Sequence, residues 1–310
     1  DLDLGEFPVP HWHHLDGGRF IDTFCGVVTR NPKNGQMNVG IYRGQVIAPD
    51  KIGKLLIPTQ HWGSHFAEHR ETSSPMPVAV VHGWHDVLPF CAGSPFPKGI
   101  CEYDMMGAIL GRPVELVRCE TSDLLIPASA EIVIEGTIDP NPATFEMEGP
   151  FGEYTGYYSG VGTDKRNFEQ VTCVTYRNNP ILWGTTVGKA VTDTHMTMAL
   201  TYGATLWQQL TDMKIPGIKA VYCPTERAGR FLAIISINQM YPGNADQVGT
   251  ADDLNGIGAA ERKGIRNRCA RSSGVVPALP CLLYTSDAAD DLLCVDLGGR
   301  RIIKKKTQLQ

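Results

Sequence analysis

Two carboxylates, Glu148 and Glu153, stand on either side of a Gly-Pro-Phe-Gly segment. Proline fixes φ and glycine permits positive φ, so a segment of this composition can fold back tightly and turn both acids toward one cavity. Two carboxyl groups in one pocket repel each other, which lets one of them hold a proton near neutral pH. The spacing therefore predicts a pair that can move protons at carbon. The motif alone leaves open a surface turn with two solvated acids.

The composition is that of a soluble globular enzyme. The chain has 310 residues, 42% of them apolar and 20% charged, which is enough for one or two domains with a sizeable core. The net charge of −5 provides no basic surface for nucleic acid, and no apolar run approaches the ~20 residues that a membrane helix needs. The nine cysteines include no Cys-x-x-Cys pair, so we predict reduced thiols in a cytoplasmic protein rather than disulfides or a structural zinc site.

Short apolar runs separated by turn residues predict many strands and few helices. An apolar run, a Pro/Asn/Gly turn and a second run over residues 24–42 predict a hairpin. We expect helices over 62–70, 99–110 and 194–210. The other predicted strands are 45–48, 76–81, 114–118, 131–137, 169–176, 181–184 and 231–237. This pattern indicates an α+β protein with a β-barrel-like core and helical insertions.

Further motifs occur in a fixed order before the acidic turn. They are Asn-x-Gly-x-Tyr-Arg at 38–43, Gln-His-Trp-Gly at 60–63, Cys-Glu-Tyr at 101–103 and Ile-Pro-Ala-Ser-Ala-Glu-Ile-Val at 126–133. With these motifs and Glu-Gly-Pro-Phe-Gly-Glu at 148–153, the chain from about Gly26 to about Thr250 resembles the UbiD family of decarboxylases, which use prenylated FMN. The resemblance implies a cofactor-binding core that is a split β-barrel of the flavin-reductase type.

The resemblance implies that Asn38, His61 and Glu102 bind Mn²⁺ (or Mg²⁺) beside a K⁺, and that both ions anchor the cofactor phosphate. An amide oxygen, an imidazole and a carboxylate suit a hard divalent ion better than zinc. The sequence has no glycine-rich phosphate loop that would serve instead. His61, His65 and His69 would share one face of a helix, so a three-histidine metal site is the alternative.

The resemblance also assigns roles to Arg43, Glu148 and Glu153. Arg43 is permanently charged; beside Glu148 it would keep that acid ionised and in place, and it could also receive the substrate carboxylate. Glu153 would be the proton donor to the carbon that loses CO2. The implied activity is a reversible, non-oxidative decarboxylation of aromatic, heteroaromatic or α,β-unsaturated carboxylic acids through a covalent adduct with prenyl-FMN. Such a cofactor is needed because no side chain can accept the electron pair that CO2 leaves on an sp² carbon.

The family resemblance implies further contacts and partners. The residues expected to contact the flavin are Asn38, Tyr42, Arg43, Gln60, His61, Pro127, Ala128 and Ser129. The expected ligand is a small carboxylic acid, a flavin prenyltransferase would supply the cofactor, and the full-length protein would be a homo-oligomer. We expect no nucleic-acid partner and no membrane span.

The chain is expected to contain three parts. Residues 1–20 would be the remnant of an N-terminal region, and residues 21–250 the prenyl-FMN-binding split-barrel core. Residues 251–310 would be a degraded or non-native tail, which from about Cys281 resembles a translation of sequencing-adapter DNA; a native basic tail is the alternative. Family members are longer at both ends, so we expect this chain as written to be weakly active or inactive.

Two other functions stay open. One is a split-barrel module that binds FMN without catalysis, although a mere binder needs no Arg-Glu-Glu set. The other is a metal-dependent hydrolase that uses Asn38, His61 and Glu102 with a metal-bound water. Chelation should release flavin from a decarboxylase, whereas in a hydrolase it should abolish activity without any flavin being present.

Overall fold

The computed structural model describes residues 2–97, 99–159 and 165–248, and the backbone of residues 268–270 and 281–284. The chain divides between Thr197 and Met198 into two compact units. This division falls inside the stretch 21–250 that we predicted as one core. None of the helices in the described ranges combines the length and apolarity that crossing a bilayer requires.

Strands outnumber helices, as predicted. The strands in chain order are β1 Arg19–Phe20, β2 Gly26–Arg30, β3 Met37–Gly40, β4 Gly44–Ala48, β5 Lys51–Lys54, β6 Met76–His82, β7 Leu116–Arg118, β8 Leu125–Pro127, β9 Ile132–Ile138, β10 Glu146–Met147, β11 Phe151–Gly152, β12 Tyr158–Ser159, β13 Lys165–Arg166, β14 Phe168–Tyr176, β15 Ile218–Tyr222, β16 Ala233–Ile237, β17 Arg268–Ala270 and β18 Cys281–Tyr284. The α-helices are α1 His61–Glu71, α2 Val87–Ala92, α3 Glu102–Leu110 and α4 Asp193–Asp212, and residues 244–248 are also helical. Single 3₁₀ turns occur at Leu4–Glu6, Pro142–Thr144 and Thr225–Arg227.

The first unit is built on one large antiparallel sheet of eight strands in the order β1-β4-β5-β14-β9-β6-β2-β3. The central strands β6 and β9 are buried over nearly their whole length, as expected for strands covered on both faces. The sheet is curled into a half-barrel in a mixed α/β fold with few helices. Closure into a split barrel of the flavin-reductase type stays a prediction.

Two apolar layers cover the two faces of this sheet. Val27 and Val80 belong to the layer that includes Trp62 of α1, whereas Val28 and Val81 belong to the layer that includes residues of α2 and α3. Adjacent strand residues point to opposite faces, so each Val-Val pair supplies one residue to each layer. The sheet is thus held between α1 on one side and α2 with α3 on the other.

One predicted helix is shorter in the structure, one predicted strand is absent from it, and one helix was not predicted. The helix predicted from residue 99 begins only at Glu102, because Gly99 has a left-handed φ of +100°. Residues 181–184 are not a strand, since the Ile181 N–H donates to the Glu131 side chain instead of to a neighbouring strand. The helix Val87–Ala92 was missed, because six residues are too few to reveal a helical period.

The second unit contains most of α4 and a sheet in the order β15-β16-β18-β17. Leu206 and Leu210, one turn apart on α4, join Ile235 and Ile237 of β16 in its apolar core. The tail hypothesis concerns residues 251–310, which lie outside the described residues except for β17 and β18. The backbone of β18 pairs with β16. The non-native origin of the tail stays a prediction.

Candidate active site

Arg43 lies in the short connection between β3 and β4, where the backbone passes close to a buried acid. The next residue, Gly44, starts β4, and a Cβ atom at that position would lie 1.9 Å from Asp22 Oδ2. Only glycine fits so close an approach. The chain therefore enters β4 tightly packed, and the guanidinium of Arg43 is fixed at the strand end with 7% of its side chain exposed.

The acidic turn folds back as its composition predicts. Gly149 has a left-handed φ of +87°, the Gly149–Pro150 bond is cis, and β11 then pairs with β12. Side chains from elsewhere fix its backbone: the Gly149 N–H donates to Gln45 Oε1 at 2.7 Å, and the Gly152 N–H donates to Asp16 Oδ1 at 2.8 Å. The turn is thus bonded at both of its glycines.

The structure brings the three predicted catalytic residues together. Arg43 Nε and Nη2 donate to the two carboxylate oxygens of Glu148 at 2.8 and 2.7 Å, a bidentate pair in which the Glu148 side chain is fully buried. Arg43 Nη1 donates to Glu153 Oε1, and the Glu153 side chain is 20% exposed. The alternative of two solvated acids on a surface turn is wrong for Glu148.

Two residues of this cluster were missed from the sequence. The Ser159 hydroxyl accepts from Arg43 Nη1 and donates to Glu153 Oε1 at 2.8 Å. Arg166 Nε lies 3.5 Å from Glu148 Oε2. The signal for Ser159 was its place on the return strand of the hairpin that carries Glu153. No sequence signal identified Arg166.

Residues 1–20, which we assigned to a remnant region, contact the acidic turn directly. The Asp16 carboxylate accepts from the Gly152 N–H and from the His13 N–H, and the Gly17 N–H donates to the Pro150 carbonyl. A Cβ atom at position 152 would lie 2.6 Å from the His13 ring. This N-terminal segment therefore forms part of the support for the proposed catalytic loop.

The predicted metal ligands converge at β3. The Asn38 Oδ1 atom lies 3.2 Å from Nδ1 of His61, the first residue of α1, and Glu102, the first residue of α3, accepts from the Val39 N–H at 2.7 Å. Asn38 and Glu102 are buried. Burial raises the pKa of Glu102 to about 7, and the backbone bond from Val39 only partly offsets this effect. A bound cation would stabilise this buried carboxylate, so the donor set fits a hard divalent ion.

The three-histidine alternative is not supported. His65 Nδ1 lies 3.0 Å from the Thr29 hydroxyl and His69 Nδ1 lies 3.0 Å from the Ser74 hydroxyl, so the histidines of α1 have separate partners. Within the described ranges, no group of three or more His, Cys, Asp or Glu side chains could hold a metal. The amide oxygen of Asn38 is a further possible ligand that is not among these side-chain types.

The other predicted flavin contacts fall into two groups. Tyr42 stacks on Trp62 with ring centroids 4.1 Å apart and accepts from the Asn38 amide, and Gln60 Oε1 accepts from the Trp62 indole. These two residues therefore surround the predicted metal ligands. In the other group, Pro127 is buried, Ala128 is exposed, and the exposed Ser129 accepts from the Trp84 indole. In the described part of the chain, no hydrogen bond or ion pair joins residues 127–129 to Arg43, Glu148 or Glu153.

A cavity of about 530 Å³ lies beside β4 and β10. It is lined by Gly17, Gly18, Gln45, Val46, Ile47, Phe145, Glu146, Met147 and Lys165. Neither the Arg43 cluster nor the predicted metal ligands line it. We therefore do not assign this cavity to the substrate.

The chain matches two family models. Residues 1–190 match UbiD, described as the 3-octaprenyl-4-hydroxybenzoate carboxy-lyase Rift-related domain, and residues 195–251 match UbiD_C, the C-terminal domain of the same carboxy-lyase. The boundary between the two matches lies close to the division between the two structural units. The second match begins inside the stretch that we predicted as one cofactor-binding core.

Relatives and solved structures agree with these matches. An uncharacterized protein of Aquifex aeolicus is 35% identical over 259 residues, which is 83% of this chain and 51% of that protein. An evolved dimeric form of the UbiD-class enzyme HmfF from Pelotomaculum thermopropionicum, in complex with prenylated FMN, is 33% identical with a TM-score of 0.74, over 81% of this chain and 57% of that one. Vanillic acid decarboxylase from Sedimentibacter hydroxybenzoicus, in its closed form, is 31% identical with a TM-score of 0.74, over 81% and 52%. The chain spans about half the length of the curated relatives that it matches.

Proposed function

Since this chain belongs to the UbiD family, we propose that it carries the acid–base site of a prenylated-FMN-dependent, non-oxidative decarboxylase. The substrates would be aromatic, heteroaromatic or α,β-unsaturated carboxylic acids. The solved structures similar to this chain include a vanillic acid decarboxylase and an enzyme in complex with prenylated FMN, which supports this choice. The half-barrel that carries Arg43 would then be a split barrel of the flavin-reductase type.

The unequal environment of the two acids is the observation that carries the proposal. Both oxygens of Glu148 accept from Arg43 inside the protein, so this bidentate ion pair fixes the position of the acid. Glu153 shares the same guanidinium through one oxygen only and reaches solvent. Two acids whose environments differ in this way are typical of an acid–base pair in which one fixes the geometry and the other carries the proton.

The chemistry of this step balances with Glu153 as the donor. The bond between the substrate carbon and its carboxylate breaks, CO2 leaves, and the electron pair stays on the carbon. The protonated Glu153 then gives its proton to that carbon, a C–H bond forms, and Glu153 is left as a carboxylate. Its exposed fraction lets water return the proton for the next turnover.

Four of the five N–H bonds of Arg43 already point at Glu148, Glu153 and Ser159. The remaining N–H on Nη2 is the donor that a substrate carboxylate would meet. Arg43 would therefore orient the two acids first and contact the substrate with a single bond.

Asn38, His61 and Glu102 would hold Mn²⁺ or Mg²⁺ next to the cofactor phosphate, with K⁺ as a second ion. Burial raises the pKa of the Glu102 carboxyl, which a bound cation would offset. The Asn38 oxygen and the His61 nitrogen would complete the donor set, so the three residues fit this assignment. When bound, the prenylated flavin supplies the electron sink that no side chain offers. Tyr42 and Gln60 stand beside these ligands and would line the same site.

The test uses the chain produced together with a flavin prenyltransferase and Mn²⁺. Bound flavin is identified by absorbance and mass, and decarboxylation of a panel of aromatic and α,β-unsaturated acids is followed by product mass. Glu153→Gln should keep the flavin and lose about 10²–10⁴-fold in rate, because general acid catalysis contributes about that much. Glu146→Gln, which removes a carboxylate bonded to Lys51 in the same segment, is the matched control and should keep the wild-type rate.

Two outcomes would contradict the proposal. A folded chain that retains no flavin under these conditions would contradict the assignment of a prenylated-FMN-dependent enzyme. Equal and measurable decarboxylation rates for the wild type and Glu153→Gln would show that Glu153 does not supply the proton.

A further inference from the structure

The hairpin formed by β11 and β12 places Ser159 beside the side chain of Glu153. Phe151 pairs with Ser159 across the hairpin, and the Glu153 N–H donates to the Tyr157 carbonyl at 2.8 Å. The turn between Glu153 and Tyr157 therefore returns the chain so that the Ser159 hydroxyl meets the acid. Both residues are fixed by the same short ladder, which makes their contact a feature of the backbone rather than of loose side chains.

The hydrogen bonds of the Ser159 hydroxyl have a defined direction. Arginine can only donate, so the oxygen of Ser159 accepts from Arg43 Nη1. Its one hydrogen then points to Glu153 Oε1, 2.8 Å away. Arg43 Nη1 donates to that same carboxylate oxygen. Glu153 Oε1 thus receives two donors, and an oxygen that accepts two hydrogen bonds is the poorer place for a proton.

We propose that Ser159 is a positioning residue for Glu153. Ser159 and Arg43 both donate to Oε1 of Glu153 and so confine its transferable proton to Oε2. The inference rests on the proposed function, because only a proton donor needs one defined oxygen to carry its proton. Without Ser159 the carboxyl group could turn about its terminal bond, since a single Arg43 contact would be left to hold it.

The proposal predicts two linked effects of Ser159→Ala. The hydrogen bond that Ser159 donates favours the ionised form of Glu153, so its loss should make the acid hold its proton to higher pH. The alkaline limb of the kcat profile should then move up by about 0.5–1 pH unit, and kcat at the optimum should fall about fivefold to tenfold with KM unchanged, the sizes expected for the net contribution of one typical hydrogen bond. Ser159→Thr keeps the hydroxyl and should restore both.

A readout that needs no turnover completes the test. The chain is labelled with ¹³C at the δ-carbon of glutamate, and the Glu153 signal is identified by its absence in Glu153→Gln. Its titration midpoint should rise by about 0.5–1 pH unit in Ser159→Ala and return in Ser159→Thr. Ser94→Ala is the matched control, because it removes a part-buried hydroxyl that bonds the Phe90 carbonyl in another part of the unit. It should leave the titration of Glu153 unchanged.

The outcomes separate this inference from the function on which it rests. An unchanged Glu153 titration in Ser159→Ala overturns the inference whether or not the chain decarboxylates anything. A shifted titration in a chain whose rate does not depend on Glu153 overturns the proposed function and, with it, the positioning role. A shifted titration together with the kcat effect and its rescue by threonine is the result that we expect.

Discussion

The first unit contains two clusters in which one cation lies between two carboxylates. In one of them, Arg43 lies between Glu148 and Glu153, and in the other Lys54 lies between Asp22 and Glu169. The two clusters are neighbours: a Cβ atom at Gly44 would touch Asp22, and one at Gly53, the residue before Lys54, would lie 3.0 Å from Glu148. The formal charges are the same, so the difference between the clusters lies in their surroundings.

The Lys54 cluster is fully buried from solvent. Lys54 Nζ lies 2.5 Å from Asp22 Oδ2 and 3.0 Å from Glu169 Oε2, and all three side chains are fully buried together with His82, whose Nε2 is 3.1 Å from Asp22 Oδ1. Burial raises the pKa of Glu169 to about 7 although the charge of Lys54 opposes this. Burial also acts to raise the pKa of Asp22, but Lys54 and His82 outweigh it and the pKa is lowered. The pKa values of the two acids are thus shifted in opposite directions, as in a catalytic pair.

The comparison shows that paired acids with unequal environments are not enough to make a site. The Lys54 cluster has this inequality but no exposed atom through which a substrate or water could take a proton. The Arg43 cluster leaves one acid, Glu153, 20% exposed. Alternation along β4 and β5 turns one set of side chains to each face, so the same two strands support the buried Lys54 cluster and the Arg43 cluster that we propose to be catalytic.

The largest expected effect comes from removing the cation of the fully buried Lys54 cluster. Lys54→Met leaves Asp22 and Glu169 buried without their cation, so we expect a loss of about 3–5 kcal/mol in the free energy of unfolding. Urea denaturation followed by tryptophan fluorescence measures it. Lys51→Met removes a part-exposed partner of Glu146 on the same strand and should cost less than about 1 kcal/mol. A Lys54→Met variant as stable as Lys51→Met would show that the buried charges are neutralised in another way.

A smaller effect concerns the pH dependence of stability. The pKa of Glu169 is raised from 4.5 to about 7 in the folded state, so the folded chain binds more protons than the unfolded chain between these values. Its stabilising contribution is therefore fully present below pH 4.5 and is lost as the pH rises through 7, by up to about 3 kcal/mol. Asp22 acts in a separate window: its lowered pKa gives a contribution that is present above pH 3.8 and is lost as the pH falls further.

The measurement compares the wild type with Glu169→Gln at several pH values from 4.5 to 8. The difference in unfolding free energy should favour the wild type most at low pH and shrink toward neutral pH. Burial also raises the pKa of Glu102 to about 7, but this group is present in both chains and cancels in the difference. A difference that does not vary with pH would mean that Glu169 does not titrate in this range.

The two clusters also differ in how far the sequence predicted them. The acidic turn was predictable because its glycines and proline set a local geometry, and the family resemblance connected it with Arg43. The Lys54 cluster was not, since Asp22 lies 32 positions before Lys54 and only strand pairing brings them together. In an alternating run such as Lys51–Lys54, a lysine is most simply predicted to face solvent.

The same physical reason accounts for the other successes and failures. Strands β6 and β9 and helix α1 were predicted within a residue or two, because their patterns are local. Arg166, the contacts of Asp16 and the division after Thr197 depend on pairing between distant segments, which no local pattern reports. The predicted metal ligands, in contrast, were identified from motifs at 38–43, 60–63 and 101–103, and the fold shows that these motifs meet at β3.

The smallest expected effect tests whether the reactive cluster needs a second cation. Arg166 Nε lies 3.5 Å from Oε2 of the buried Glu148, but the Arg166 side chain is 26% exposed and the contact is long, so we expect the pair to contribute only about 0.2–1 kcal/mol. Arg166→Gln should therefore slow decarboxylation by about fivefold at most, and the loss should shrink as salt rises because solvent-exposed charges are screened within ~10 Å at 0.1 M ionic strength. The destabilisation by Lys54→Met should survive the same salt, since water does not reach that cluster.

Arg177→Gln, which removes a comparable partner of Glu131, is the control and should leave the rate unchanged. A 10²-fold loss in Arg166→Gln would instead place Arg166 among the groups that contact substrate. The proposed catalytic cluster would then contain two arginines, Arg43 and Arg166, rather than one.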